Sequence, residues 1–548
     1  MLTLRERCEK RLHGMKQVRQ PFEEEWRDIA KYAATARSRF LNSETNQRRR
    51  NVKILDEHGI YAFRTLTAGM TSGLSSPSRP WFTLRTYDDE LNEDWEAKAW
   101  LSEVERRMYA FLATTNFYGA AKAGYGELGL FGTEACVMVE HRTEGAVCHA
   151  LTAGEYWIAA GNALKADTLY RRTPMTVSQA VEAFGNAVSP QVMNMYDRSN
   201  YHELVPVFQA IEPNTERDPG RIDNRNKPFR SLYWDENDGR KDHLLRYTGY
   251  EEQPFWAPRW ETVGADVYGY SPGMDCLPSL RELQLQVKRR NQAIDQLVNP
   301  ETIVPPGVKL TRQPGNTVTA ASIDAGQVIV PYQMPYQAVD AIRQEIDRTK
   351  QQTDQLSYSD LFMAITNMQG IQPRNVEEIA SRNEEKLTQL GPVIERVNNE
   401  KLEVAIDRTF GLMERGGLLP PAPEAIQGQS LKVEFVSILT QMQRMVGIGQ
   451  IERTAGFVGN LAAVFPEAVD KLDVDEMIDE FAERAGAPAK MIRTAEMVKG
   501  IRDARAQQQQ AEQMAQTMPA VRDGADAARL LSETDVGGTS ALDMLVGA

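Results

Sequence analysis

Cysteine is scarce: Cys8, Cys136, Cys148 and Cys276 are the only four in 548 residues. That excludes a disulfide-stapled scaffold and suits a reducing compartment. Histidine is nearly as rare, with six. Cys136, His141, Cys148 and His149 fall in one predicted hairpin, but their spacing matches no zinc pattern, and the neighbours Cys148 and His149 point to opposite faces of a strand. No metal or cofactor is expected. No apolar run approaches the roughly 18–20 residues of a membrane span, and mean hydropathy is -0.47. The opening MLTLRERCEKRLHGMK is charged at once, so no secretory leader is expected. No G-x-x-x-x-G-K-[ST] occurs, so a P-loop ATPase would lack its phosphate cradle. Basic residues are outnumbered: 63 Lys and Arg face 76 Asp and Glu, a formal charge of -13. Gripping nucleic acid rests on neutralising phosphates, so this balance argues against a dedicated nucleic-acid binder. It is compatible with a chain that lets nucleic acid pass.

What is present is an ordinary folded composition, 42% hydrophobic and 25% charged. The length suggests three to four structural units at about 150 residues each. Helical spacing marks Leu4, Cys8, Leu12, Met15 and Val18, with an interruption expected at Pro21 before Phe22, Trp26, Ile29 and Ala33 resume the stripe. Asn42 to Asn51 is polar and holds Arg48, Arg49 and Arg50, either a solvated loop or a patch for a partner or nucleic acid. Ile60, Phe63, Thr67, Met70 and Leu74 form another helix face, ended by Ser75-Ser76-Pro77-Ser78-Arg79-Pro80. Trp100, Val104, Met108 and Phe111 mark a third. From about 135 to 262 the period becomes that of strands, and a mixed sheet region is expected. It starts with a hairpin turning at Thr143-Glu144-Gly145 and includes a capping box at Thr176-x-x-Gln179.

The middle of the chain is the most informative. Leu280, Leu283, Val287, Arg290, Ile294 and Leu297 are spaced 3, 4, 3, 4, 3, and Val339, Ile342, Ile346, Thr349, Thr353 and Leu356 repeat those intervals. Two helices with narrow, heptad-like seams follow. Between them, 299–336 is proline-rich and strand-like. After them, Ser357 to Asn375 reads as a long loop with some helical content. A long helix from about Val376 to Glu414 should kink at Gly391-Pro392. LKVEFVSI is a strand, residues 440–499 are helical again, and a small, polar tail closes the chain.

Two motifs have bland explanations. Gly124-x-Gly126-x-x-Gly129 matches a dinucleotide fingerprint, but a helix precedes it and a strand follows, the reverse of what a pyrophosphate site needs. Close packing is the expected cause. In Gly69-Met70-Thr71-Ser72-Gly73 the third position is Thr71, so Ser72 is no nucleophile elbow, and the glycines are expected to admit another backbone. Nothing points to an enzyme. Arg281, Lys288, Arg289 and Arg290 on the first seam helix, and Arg343, Arg348 and Lys350 on the second, form either a solvated face with local ion pairs or phosphate contacts repeated by symmetry.

Leu66 to Leu84, LTAGMTSGLSSPSRPWFTL, resembles the signature segment of podovirus head-to-tail connecting proteins, the portal proteins of short-tailed phages. EEEWRDIAKY (23–32), GLFGTEAC (129–136), PFWAPRW (254–260), GADVYGYSPG (264–273) and LVNPETIVPPG follow the family's order. The resemblance implies a mostly helical α+β portal fold in a ring of twelve around a double-stranded DNA channel. It assigns a wing (1–275 and 374–437), stem helices (276–298 and 337–356), a small β clip (299–336), a tunnel loop (357–373), a helical crown (438–500) and a C-terminal tail or barrel extension (501–548). Candidate channel contacts are then Lys288, Arg289, Arg343, Arg348, Lys350, Asn367, Gln369 and Arg374. Subunit packing falls to Leu283, Val287, Ile294, Leu297, Val339, Ile342 and Ile346, and clip contacts to Lys309 and Arg312. Implied partners are the terminase large subunit, tail adaptor or nozzle proteins, and major capsid and scaffold proteins, at the head-tail vertex of a virion made in the bacterial cytoplasm. No membrane insertion is expected. The competing readings are a virion or scaffold oligomer without a channel, and a cytoplasmic enzyme built on the sheet region.

Overall fold

The computed structural model describes residues 2–34, 54–88, 91–92, 94–300, 335–366, 384–429 and 431–436, and beyond 446 chiefly 448–462, 471–485 and 497–505. The chain divides into two units, 1–446 and 447–548. In the first, α1 (Leu4–Tyr32), α2 (His58–Leu74), β1 (Phe82–Thr86), α3 (Trp95–Thr114) and α4 (Phe117–Phe131) lead. Then come β2 (Ala135–His141), β3 (Gly145–Leu151), β4 (Tyr156–Ala160), β5 (Ala166–Thr176), α5 (Val177–Phe184), α6 (Pro190–Asp197), β6 (Leu204–Pro213), β7 (Phe229–Asp235), β8 (Arg246–Tyr250) and β9 (Phe255–Trp256). The helices α7 (Pro272–Val298), α8 (Tyr336–Leu356), α9 (Ser359–Thr366), α10 (Glu384–Val397) and α11 (Glu403–Arg415) precede β10 (Leu431–Phe435).

The region expected to hold one mixed sheet holds two antiparallel ones, ordered β3-β2-β9 and β4-β5-β6-β7-β8. Most of these strands follow each other through short turns or helical excursions, and such neighbours pair antiparallel. β1 pairs with β10 across the length of the unit, Phe82 opposite Phe435. The predicted turn is present, with Gly145 at φ 70°, and so is the capping box at Thr176 and Gln179.

Pro21 does not break α1. The missing N–H costs one backbone bond, but flanking side chains hold the helix from outside. The Arg19 guanidinium donates to the Tyr156 carbonyl at 2.7 Å, and Trp26 is fully buried against Phe131 and Tyr268. The N-terminal half of α1 packs Cys8, Leu12 and Met15 on the five-stranded sheet. Its C-terminal half enters the main core with α2, α3, α4, β2, α9, α10 and α11.

The long helix before β10 carries Pro392 inside α10 without ending there. Its irregularity is a π-helical turn, Asn398–Leu402, that brings Lys401 to full burial. The Lys401 Nζ donates to Glu134 Oε2 at 2.7 Å and to the Ala121 carbonyl at 3.2 Å, and lies 3.5 Å from the Tyr125 ring centroid. Trp256 Nε1 donates to the other Glu134 oxygen at 3.0 Å. Burial pushes the Glu134 carboxyl up and the Lys401 amine down, and their mutual attraction opposes both shifts. A Cβ at Gly124 would stand 1.9 Å from Glu134 Oε1. At Gly129 it would stand 2.5 Å from Leu66. Close packing therefore accounts for the two outer glycines of the pseudo-fingerprint.

In the second unit, α12 (Ile448–Ala462) and α13 (Val474–Ala485) are followed by a helical stretch at 497–505. Arg502 makes a two-pronged contact with Asp475 at 2.6 and 2.7 Å. Phe457, Ile478 and Met497 are exposed.

Replacing Lys401 with Met should destabilise the first unit by about 3–5 kcal/mol, because it strands a buried carboxylate. Adding Glu134→Gln to it should recover part of the loss. Urea unfolding followed by tryptophan fluorescence reads both. An undiminished midpoint in the single variant would contradict the role given to this pair.

Candidate nucleic-acid interface

The two seam helices form an antiparallel hairpin at the edge of the main core. Ser271 caps α7 by accepting from the Met274 N–H at 3.2 Å, and Pro272 fits the first turn, so the helix begins four residues before the expected 276. Leu283, Val287 and Ile346 are buried against each other, with Ile342 packed beside them. Four of the seven predicted seam residues thus join α7 to α8 within one chain. Ile294 and Leu297, with 40% and 41% exposure, lie outside that contact, and Val339 is half-buried. The polar fourth positions behave differently. The Thr349 hydroxyl sits 3.2 Å from the Gln286 side chain, whereas the Arg290 Nε is buried without an acceptor among the described residues.

The base of the hairpin is bolted to the rest of the unit. Gln284 receives the N–H groups of Leu55 and Asp56 at 2.8 and 3.1 Å. Asp354 accepts from the Ser359 hydroxyl at 2.8 Å and meets His58 Nε2 at 3.0 Å, and these partners hold its carboxyl below the usual range against the effect of burial. Arg281 pairs with Asp28 of α1.

Not all the predicted cations are free. Lys350 pairs with Asp56 at 3.2 Å, so it belongs to the base of the hairpin. Lys288, Arg289, Arg343 and Arg348 are exposed. Seven residues are about two helical turns, so Arg343 and Lys350 share one flank of α8, while Arg348 lies about 140° round from Arg343. The predicted cations therefore do not form one strip. Asn367, Gln369, Arg374, Lys309 and Arg312 lie outside the described residues. The stretch assigned to the tunnel loop has the helical content expected of it, and 367–373 lie outside the described residues. Its first half is α9, whose Leu361 and Phe362 are buried in the core. A Cβ on Gly69 would come 2.1 Å from the Phe362 ring, so this glycine admits a side chain rather than the backbone expected.

The residues that carry the family resemblance sit at joints. Ser75 and the Tyr125 hydroxyl are 2.8 Å apart, tying the end of α2 to α4. Arg259 pairs with Glu400 at 2.6 Å. The Tyr268 hydroxyl accepts from the Ile158 N–H at 3.1 Å. Gly269 and Gly273 let backbone pass where a Cβ would stand 2.2 Å from the Gly132 carbonyl and 2.3 Å from the Leu130 carbonyl. None of these is a group placed for catalysis. Ser72, exposed, donates a hydrogen bond to the Gly69 carbonyl at 3.2 Å. Cys148 is buried and His149 exposed, as opposite strand faces require, and among the described residues no cluster could hold a metal.

The family described as bacteriophage head to tail connecting protein matches residues 5–492. The portal protein of Salmonella phage epsilon15 is 39% identical over 100% of this chain and 98% of its own length. The probable portal protein of Bordetella phage BPP-1 is 37% identical over 94% and 93%. The chain belongs to the head to tail connecting proteins. Its place is accordingly that of a portal-type connector between phage head and tail. Among solved structures, the neck of an empty gene transfer agent particle computed with C6 symmetry gives a TM-score of 0.32 at 12% identity, covering 72% of this chain and 86% of that one. The virion of a native gene transfer agent particle gives 0.32 at 11%, covering 79% and 90%. These two likenesses are too distant to bear on the fold described above. No described helix of this connector is long and apolar enough to cross a membrane.

Sequence reading missed Glu134, Lys401 and Asp354. Glu134 stands inside GLFGTEAC, but a lone carboxylate has no periodicity, and its partner is 267 residues away. Replacing Ile346 with Asp should bury a charge between the seam helices, at a cost of several kcal/mol. Amide hydrogen exchange across 279–298 and 339–356 should then accelerate, while Arg348→Asp, at an exposed position, should leave it unchanged. Unchanged exchange in the Ile346 variant would contradict the seam.

Proposed function

We propose that this connector is the portal of a short-tailed phage: a ring, twelve subunits in the family pattern, set at one capsid vertex around a channel for double-stranded DNA. The observation that carries this reading is the α7–α8 hairpin. It is a firmly based two-helix projection whose far end leaves Ile294, Leu297 and Val298 exposed. Apolar groups so placed call for cover by neighbouring copies, and a ring supplies it. Residues 276–298 and 337–356 are the stem, 299–336 the clip, 367–373 what remains of the tunnel loop, and 1–275 with 374–437 the wing. The crown (438–500) lies mostly in the second unit, which also holds the tail (501–548).

The mechanism is passive. Each chain carries -13, so the assembly is strongly acidic and repels a polyanion from most of its surface. DNA then slides without sticking, and a few exposed arginines guide phosphates. ATP hydrolysis belongs to the terminase large subunit, docked at the clip during packaging. Tail adaptor or nozzle proteins take that position later, and the wing meets capsid and scaffold proteins. The chain is made in the host cytoplasm and ends in the virion. An antibody to this chain, seen by electron microscopy with gold, should mark one vertex per particle. Label on every vertex, or none on intact tailed particles, would contradict the portal reading.

A further inference from the structure

Resting on that reading, in which the wing meets other proteins, we infer that the free edge of β10 and the apolar groove beside it form a docking site. Its occupant is an extended segment of a partner protein, added to β10 as a strand, with a lysine or arginine on the same face as its apolar residues. The two edges of the β1–β10 sheet are finished differently. On β1 the outward backbone groups are capped by side chains. The Tyr109 hydroxyl accepts from the Phe82 N–H at 2.8 Å and donates to the Phe82 carbonyl at 2.7 Å. Glu105 accepts from the Leu84 N–H at 2.7 Å, and Asn92 from the Thr86 N–H at 2.8 Å. That edge is closed to a further strand.

β10 has no such cover. The Val436 N–H reaches the Trp81 carbonyl at 3.0 Å, and bonded and non-bonded pairs alternate from there. Lys432 and Glu434 therefore bond to β1, while the backbone groups of Leu431, Val433 and Phe435 point away from it. Among the described residues none of those groups has a partner. An unpaired strand edge is a template for another chain.

The side chains of the same three residues indicate what kind of chain fits. They share the face of Phe82, Leu84 and Thr86, yet are only half-buried. On that face lies a groove of about 660 Å³, lined by Trp100 of α3, Ile406 and Phe410 of α11, Leu419 and Ile426. Asp407 and Glu414 line it too, two turns apart on one flank of α11. Neither has a cation partner among the described residues, and no lysine or arginine lines the groove. Burial, with Glu403 and Glu252 nearby, pushes the Asp407 carboxyl up to about 6. A strand added to β10 turns alternate side chains toward this groove. Apolar ones cover Leu431, Val433 and Phe435, and a basic one answers the two carboxylates.

The test is amide hydrogen exchange of the purified full chain with a capped probe peptide, Thr-Val-Thr-Lys-Thr-Val-Thr. Exchange at Leu431, Val433 and Phe435 should be fast without the peptide and slow at saturation. Glutamate in place of the peptide's lysine should weaken binding at least about tenfold. Val433→Pro removes one outward N–H and spares the β1 ladder, and it should weaken binding by a similar factor. Asp407→Lys with Glu414→Lys, both at exposed positions, should reverse the preference between the two peptides. Exchange that neither peptide slows, or a preference that does not reverse, would overturn the site. Slow exchange at these three amides before any peptide is added would overturn the partner protein as occupant and give the edge to copies of this chain. Failure of the portal reading shows separately, as absence of the chain from a single vertex.

Discussion

The buried Glu134–Lys401 pair is the constraint around which the first unit is arranged. One carboxylate, 1% exposed, receives the lysine from the π-helical turn and the indole of Trp256 from β9. The lysine in turn touches the backbone and a ring of α4. Segments more than 100 residues apart in sequence thus converge on two charges that water cannot reach. Such a pair adds little net stability over apolar packing, but neither half tolerates loss of the other. That demand fixes register: α10 and α11 cannot slide past β2 without stranding a charge. The π turn follows from the same need, because one extra residue per turn re-aims Lys401 inward.

Much of the architecture was legible because periodicity survives in a single sequence. The seam helices, the first hairpin, the capping box at Thr176 and the strand that became β10 all carry local signals. What failed were places where a distant contact outweighed a local rule. Pro21 should end a helix, yet Arg19 and Trp26 anchor both sides of it from the sheet and the core. Helical content was expected somewhere in 357–375, but not that Leu361 and Phe362 would find a socket that Gly69 leaves open. Of the candidate site, the cations were visible, but their grouping was not. Lys350 is taken by Asp56, a partner nearly 300 residues earlier, and no spacing rule reports that.

The signature residues acquire a physical meaning. Gly69, Ser75, Glu134, Trp256, Arg259, Tyr268 and Gly273 each make a joint between elements. This is what the proposed passive conduit requires. Its work is to hold a projecting pair of helices at a fixed angle on a stiff base, and Asp354 carries that stiffness by tying α8 to both α2 and α9. In the proposed ring, the acidic excess and the exposed arginines set how a polyanion meets the assembly.

The account stands on the ring. Native mass spectrometry of the purified full chain, with negative-stain images of the same sample, tests it most directly. Twelve copies of a 61.6 kDa chain give about 740 kDa, and the particle should appear as a ring with a central hole. A species that stays monomeric or dimeric at high concentration and in the presence of scaffold protein would contradict it.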